Sequence, residues 1–251
     1  HKKYCLLIQM EKEFERKYHS LEKEHWWFIS RRDIIRRIVN KFEKNIKILE
    51  IGCSSGRLMN ALNEAKFKEI IGIDISKEAT HFCRKNNIKS IIRMDGSKMG
   101  FKEKEFDLII ASDILEHIYD DSYAVREWKR VLKENGKILA FVPAFNLLWS
   151  DHDIVNRHLR RYNRQELKAL FERNGLRIVR TSYWNLFLFF PILIKRLILN
   201  KIRRRSKPKD DLFRMNKAIN VFFCLLLTIE NIYCRFFNLP LGLSLFIIAK
   251  K

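Results

Sequence analysis

The chain is 251 residues long, which suits one α/β domain with embellishments or two small domains. With 47% hydrophobic residues it can bury a full core, and eight Gly and four Pro exclude collagen-like and linker-dominated chains. The 50 Lys and Arg against 29 Asp and Glu give a formal charge of +21, which attracts polyanions: nucleic acid, anionic lipid head groups or phosphorylated substrates.

Residues 1–9 hold an apolar run too short for a signal peptide and are expected to be a frayed tail or an artefact. From 11 to about 44 the pattern is helical and charged, with Ile34, Ile35, Ile38, Val39 and Phe42 recurring every three to four positions. Inside it sits His25-Trp26-Trp27-Phe28, followed by Arg31-Arg32. Strands are predicted at 46–51, 69–75, 88–93, 106–111, 136–142 and 176–183, and helices at 57–65, 77–85, 121–133 and 164–173. Gly136 and Gly175 are expected to cap two of those helices. Strands apolar on both faces and separated by helices predict a mostly parallel sheet with helices on both sides. Two very apolar stretches, 184–199 and 218–237, are joined by the basic run 201–209, and 243–249 then reads as a last strand. The predicted organisation is an N-terminal helical extension (1–45), an α/β domain (46–185), a helical insert (186–238) and a final strand (239–251). Cys5, Cys53, Cys83, Cys224 and Cys234 form no C-x-x-C pair, which fits reduced thiols in the cytosol better than zinc or disulfides.

The strongest signal is Ile48-Leu49-Glu50-Ile51-Gly52-Cys53-Ser54-Ser55-Gly56-Arg57-Leu58: a buried strand, a loop of small residues, then a helix. Glycines at 52 and 56 let the backbone turn sharply and approach a ligand. A second strand ends in Asp74, 22 positions after Gly52, where a carboxylate can accept both hydroxyls of a ribose. The spacing G-x-x-x-G is not that of a dinucleotide fingerprint, and Glu50 would repel a pyrophosphate while holding an ammonium group. A nucleoside that carries an amino acid satisfies both demands.

From about residue 46 to 145, and again in the last strand, the sequence resembles the class I S-adenosylmethionine-dependent methyltransferases, with Ser54 in place of the middle glycine of their first motif. The resemblance implies a Rossmann-like, mostly parallel seven-stranded sheet and S-adenosyl-L-methionine as cofactor. It implies cofactor contacts from Glu50, Gly52, Cys53, Ser54 and Gly56, from Asp74 and Ile75 at the ribose, and from Asp95 and Gly96 at the adenine. Ser112 ends the fourth strand, which faces the methionine part in that family. An N-terminal helix often covers the cofactor there, so Trp27 could close over the sulfonium and Arg31 could meet the methionine carboxylate. Both Trp26 and Trp27 could equally just pack the helix on the sheet.

The string Asp113-Ile114-Leu115-Glu116-His117 resembles that of quinone-type O-methyltransferases. His117 could be a base, Glu116 and His117 could help hold a divalent metal, or both could satisfy loop backbone. After the fifth strand, the polar stretch 149–162 offers His152 or His158 as a base and Arg160 or Arg161 as a phosphate clamp, with Trp149 and Tyr162 as acceptor contacts. Its His and Asp spacing fits no standard metal site, and no metal is expected.

The apolar insert bordered by Lys and Arg predicts helices lying on, not crossing, an anionic membrane, at its cytoplasmic face, beside a small or lipid-linked acceptor. The insert could instead pack on the domain or form an oligomer contact. RNA is the competing acceptor, on the strength of the charge, although no RNA-binding module or base-methylating Asn/Asp-Pro-Pro-aromatic motif is present. A non-catalytic methyltransferase-like binding subunit is the third alternative.

Overall fold

The computed structural model describes residues 12–202 and 213–251; the expected tail with Cys5, and most of the basic linker, lie outside them. In chain order the elements are α1 (Lys12–Leu21), α2 (Trp26–Val39), β1 (Lys47–Ile51), α3 (Arg57–Glu64), β2 (Glu69–Asp74), α4 (Lys77–Lys85) and β3 (Ile91–Arg93). They continue with β4 (Phe106–Ser112), α5 (Asp121–Val131), β5 (Leu132–Pro143), α6 (Asp151–Val155), α7 (Arg164–Arg173) and β6 (Arg177–Trp184). The last are α8 (Phe189–Ile202), α9 (Lys217–Tyr233) and β7 (Ser244–Lys250).

One seven-stranded sheet has the order β3-β2-β1-β4-β5-β7-β6. Strands β1 to β5 pair in parallel, with Ile48 beside Ile70 on one side and Leu108 on the other. β7 runs antiparallel to both β5 and β6, so the sheet is mixed rather than purely parallel. The reversal follows from the chain path: the insert returns β7 by a connection that is not a βαβ crossover. Ile48, Leu49, Ile109, Ile110, Phe141 and Ile247 are all buried, as expected of strands covered on both faces. Strand order reverses between β1 and β4, and the crevice beyond the carboxyl ends there is where such sheets bind ligands.

Three local expectations change. The predicted helix from 11 to 44 is two helices: the chain breaks before His25, whose Nδ1 accepts the Trp27 amide and caps α2. Gly136 is no helix cap, because α5 stops at Val131 and Gly136 lies within β5; Gly175 does follow α7, with φ +72°. The polar stretch after β5 contains a short helix, α6, started by a Ser150–Asp153 capping box.

The insert is tied to the body at several points, among them Asn220, which accepts the Trp26 amide at 2.8 Å and donates to the Glu24 carbonyl at 2.7 Å, and a buried anchor on α9. Glu230 of α9 accepts the backbone amides of Asn185, Leu186 and Phe187, while Asn231 accepts the Trp184 indole N–H at 2.7 Å and donates to the Ser30 carbonyl at 2.9 Å. Beyond that anchor, Ile219, Phe222, Leu225 and Ile229 of α9 and Phe190, Ile194 and Ile198 of α8 remain exposed. Among the described residues, no helix is long and apolar enough to cross a membrane.

Candidate active site

The ends of β1 and β2 are tied together by one carboxylate. Asp74 accepts the Ser54 amide at 3.0 Å and the Ser76 amide at 2.9 Å, so it fixes the two loops that follow those strands. Burial raises its carboxyl above the ordinary value, against the pull of those two amides. Gly52 has φ +71°, and a Cβ there would lie 1.9 Å from Ile114 Cδ1, so the glycine lets the turn and the loop after β4 pack closely. Gly52, Ser54, Asp74, Ile75 and Gly96 all border one cavity of about 510 Å³. That volume lies within the range of small-molecule and cofactor sites, ~300–1,000 Å³.

Other residues expected at the cofactor stand behind this wall. Glu50 is buried with Oε2 unpartnered, and burial pushes its carboxyl well up. Cys53 is buried beside Cys83, which reaches the Ser54 carbonyl, and Gly56 opens α3 in a left-handed conformation. Asp95 turns back on Ser97, accepting from its amide at 2.8 Å and its hydroxyl at 2.7 Å, and Ser112 donates to Asp113 at 2.8 Å.

Helix α1 covers the same loops. Glu15 accepts from the Ser76 hydroxyl and Glu22 from the Ser55 hydroxyl, while His19 Nδ1 lies 2.9 Å from Ser54 Oγ. His19 also sits 3.5 Å from Glu15 and 3.6 Å from Glu22. Burial alone would lower its pKa, but the two carboxylates outweigh this and raise it to about 9. Trp27 lines the cavity. Arg31 does not: it is caged by the rings of Trp27, Phe141 and Trp184, 4.8, 4.4 and 4.4 Å from their centroids. Its guanidinium donates to Ser244 Oγ at 2.7 Å and lies 3.5 Å from Asp113, so it locks α2 over the ends of β4, β5 and β7.

The far end of the cavity gathers His117, His152, His158 and Glu116. One side-chain atom from each of Glu116, His117 and His158 lies within 4.8 Å of the others. Neither Glu116 oxygen has a hydrogen-bond partner, and burial, then the Asp113 charge, push its carboxyl well above the ordinary range. Burial lowers His117 to about 3 and His152 to about 4, with the neighbouring His158 adding to both shifts. His158 differs, for its Nδ1 lies 2.8 Å from Asp153 Oδ1.

Of the expected acceptor contacts, only Arg161 borders the cavity. Arg160 is turned away to Asp121, at 2.9 Å, and the Tyr119 carbonyl, and the buried Tyr162 hydroxyl shares Asp121 at 2.9 Å. Trp149 lies off the cavity. Arg161 is no phosphate clamp either, because its fork is spent on Asp153 and the Ala144 carbonyl. Residues that the motifs did not single out include Asp113, on the cavity wall with φ +58°, and the buried Asp153. The Ser-x-x-Asp pattern of 150–153 was the available signal for Asp153.

Residues 49–140 match a family model described as a methyltransferase domain. The ubiquinone biosynthesis O-methyltransferase of Pelagibacter ubique is 32% identical over 119 residues, 46% of this chain and 48% of that protein. Over residues 49–140 the chain carries a methyltransferase domain. A SAM-dependent methyltransferase from Archaeoglobus fulgidus shares its fold with a TM-score of 0.59 at 20% identity, over 93% of this chain and 99% of that one. A chain from the Haloferax volcanii complex of the Trm112 methyltransferase activator with a methyltransferase gives 0.63 at 16% identity, over 95% and 94%. The chain spans about half the length of the first curated relatives it matches, 48% and 54%.

The cofactor of such a domain is S-adenosyl-L-methionine, and the methyltransferase residues described above fit it. Asp74 faces the cavity at the end of β2, where a ribose would be held, and Gly52, Ser54 and Gly96 present backbone without bulky side chains. Glu50 Oε2 is a buried acceptor without a partner that lies behind the cavity wall, so it could meet a cofactor ammonium group only through water.

Proposed function

We propose that this chain transfers a methyl group from S-adenosyl-L-methionine to a small or lipid-linked acceptor of glycan, lipid or quinone type, at the cytoplasmic face of a membrane. The carrying observation is that one cavity joins the cofactor loops to the cluster of Glu116, His117, His152 and His158. The bound cofactor supplies an already activated methyl group on a sulfonium. The chain's own task is therefore to align an acceptor and keep water out. Asp74 and the Gly52–Ser54 turn position the cofactor end, and α1 and Trp27 cover it. Buried imidazoles at the other end can take a proton from an acceptor that must lose one.

The acceptor reading is supported by the insert. Leu188, Pro191 and Ile192 from its start, and Phe213, Met215 and Phe223 further along, complete the cavity wall, the last two beside Trp26. Its outer faces carry the exposed apolar residues of α8 and α9, flanked by Lys217 and Arg235. Apolar faces rimmed by cations suit an interfacial helix pair on anionic lipid. The named activity of the Pelagibacter relative points the same way, towards an acceptor of quinone type.

The test is methyl transfer from labelled cofactor to total membrane lipid extract and, separately, to total RNA. Label in a lipid product supports the proposal. Label in RNA alone, retained in a salt-sensitive way, replaces it with an RNA methyltransferase. Cofactor binding with no transfer to either replaces it with a binding subunit.

A further inference from the structure

Three histidines face the acceptor end of the cavity, and only one has an anionic partner. Asp153 is fully buried. Its Oδ1 accepts from His158 Nδ1 at 2.8 Å and from Arg161 Nε at 2.7 Å. Its Oδ2 accepts from Arg161 Nη2 at 3.0 Å, from the Ser150 amide at 2.8 Å and from the Ser150 hydroxyl at 3.3 Å. Burial alone would raise this carboxyl, but the His158 hydrogen bond and the Arg161 charge bring it well below the usual carboxylate range. An ionised carboxylate only accepts, so the Nδ1 of His158 carries the proton. In the neutral imidazole the bare nitrogen is then Nε2, which lies 4.0 Å from Glu116 Oε1 at the cavity.

The surroundings of His158 come from four segments. His117, on the turn after β4, stands edge-on at 4.8 Å between ring centroids, and His152 of α6 at 6.1 Å. Glu116 adds its unpartnered carboxyl, itself near Asp113 and Arg31. Arg161 follows α6, and Arg196 of α8 acts on His152. Among the described residues neither His117 nor His152 has a carboxylate hydrogen-bonded to its ring; the Nδ1 of each has no partner, and His117 is held instead by a hydrogen bond to the Arg157 backbone.

We infer that Asp153, clamped by Arg161, is a positioning residue that fixes the tautomer and orientation of His158, and that His158 accepts the proton of a hydroxyl-bearing acceptor. This rests on the methyltransferase reading above. In the step assigned to these residues, the acceptor O–H bond breaks and the proton passes to His158 Nε2. The oxygen keeps both electrons of that bond for the methyl carbon. Asp153 keeps its charge and stabilises the imidazolium, as a buried carboxylate behind a catalytic imidazole does elsewhere. Arg161 is thereby assigned to the carboxylate and not to a substrate phosphate.

The test has a readout that needs no turnover. In the histidine-labelled protein, two-bond proton–nitrogen correlation spectra should show His158 in the Nδ1–H form. Asp153→Asn should shift His158 towards the Nε2–H form, leave His117 and His152 unmoved, and leave cofactor affinity by calorimetry within about twofold. Methyl incorporation into membrane lipid extract should fall roughly 10²–10⁴-fold. If Asp153→Asn does not fold, His158→Ala leaves the Asp153–Arg161 clamp intact, should lose the same rate and should regain part of it with added imidazole. An Nε2–H form in the parent protein, full activity in His158→Ala, or activity lost to a chelator and restored by a divalent cation would each overturn the inference. If the parent protein binds cofactor but labels no extract component, the methyltransferase reading fails and the base role with it, while the tautomer result still reports on Asp153.

Discussion

Asp74 shows how one side chain can serve both fold and ligand. Its two bonds to the Ser54 and Ser76 amides set the loops, and it also borders the cavity, where the proposed function places the cofactor's ribose. Asp74→Ala should therefore weaken cofactor binding by about 2–4 kcal/mol, roughly 30- to 1,000-fold, measured by calorimetry. An unchanged affinity would move the ribose site elsewhere. Gly242 makes a different demand. A Cβ there would come within 2.3 Å of the Trp184 carbonyl oxygen and 2.8 Å of its backbone nitrogen, and backbone cannot step aside as a side-chain tip can. Gly242→Ala should cost about 1–3 kcal/mol, read as a melting temperature lower by roughly 2–4 °C for each kcal/mol in a chain of this size. Gly52 carries the contrasting risk: its neighbour Ile114 could rotate, so the φ of +71° is the larger obstacle to substitution there.

At the scale of elements, α1 is the cover whose closure can be tuned. It touches the body through a small apolar cluster around Leu21 and Phe28 and through the Glu15, His19 and Glu22 contacts to three serines. His19 in place has a pKa of about 9, above its ordinary 6.5. Its contribution is thus complete below pH 6.5 and fades as the pH rises through 9, up to about 3 kcal/mol in all. Burial opposes the ionised Glu15, but its bonds to His19 and Ser76 lower its carboxyl overall, so its share holds above 4.5 and is lost on acidification. Amide exchange of α1 should be slowest between about pH 4.5 and 6.5 after correction for intrinsic rates, and His19→Gln should abolish the alkaline rise. The same elements show what could be read from residues alone. β1, β2 and β4 were legible because strands buried on both faces are continuous apolar runs, bounded by glycine and acidic residues. The first turns of β5 were not, because Lys133-Glu134-Asn135 carries the polar pattern of a helix end. The cofactor loop was legible for its spacing. The Asp153–His158 contact was not, since it depends on how the chain turns back at the end of α6, where the His158 amide also bonds the Asp153 carbonyl, and no spacing rule marks that turn.

The whole molecule pairs a charge of +21 with an uncovered apolar flank on α8 and α9. If that flank rests on lipid, the protein should sediment with anionic vesicles at low salt, bind less at high salt, and bind neutral vesicles weakly. Phe222→Asp with Leu225→Asp, both on the exposed face, should abolish the salt-resistant part of that binding while leaving cofactor affinity unchanged. A protein that stays in the supernatant under every condition, and is monomeric without detergent, would leave the flank to some other role. The route of the sheet has a temporal consequence as well. β5 and β6 never touch: β7 lies between them, and it is synthesised after the whole insert. Until the ribosome has released Ser244–Lys250, the open side of β5 and the isolated β6 present rows of unpaired amides and carbonyls. The nascent chain thus holds two sticky margins while the apolar insert is emerging beside them. Strand insertion over such a separation is slow, so yield in a cell should depend on chaperone supply during synthesis more than on the stability of the finished sheet.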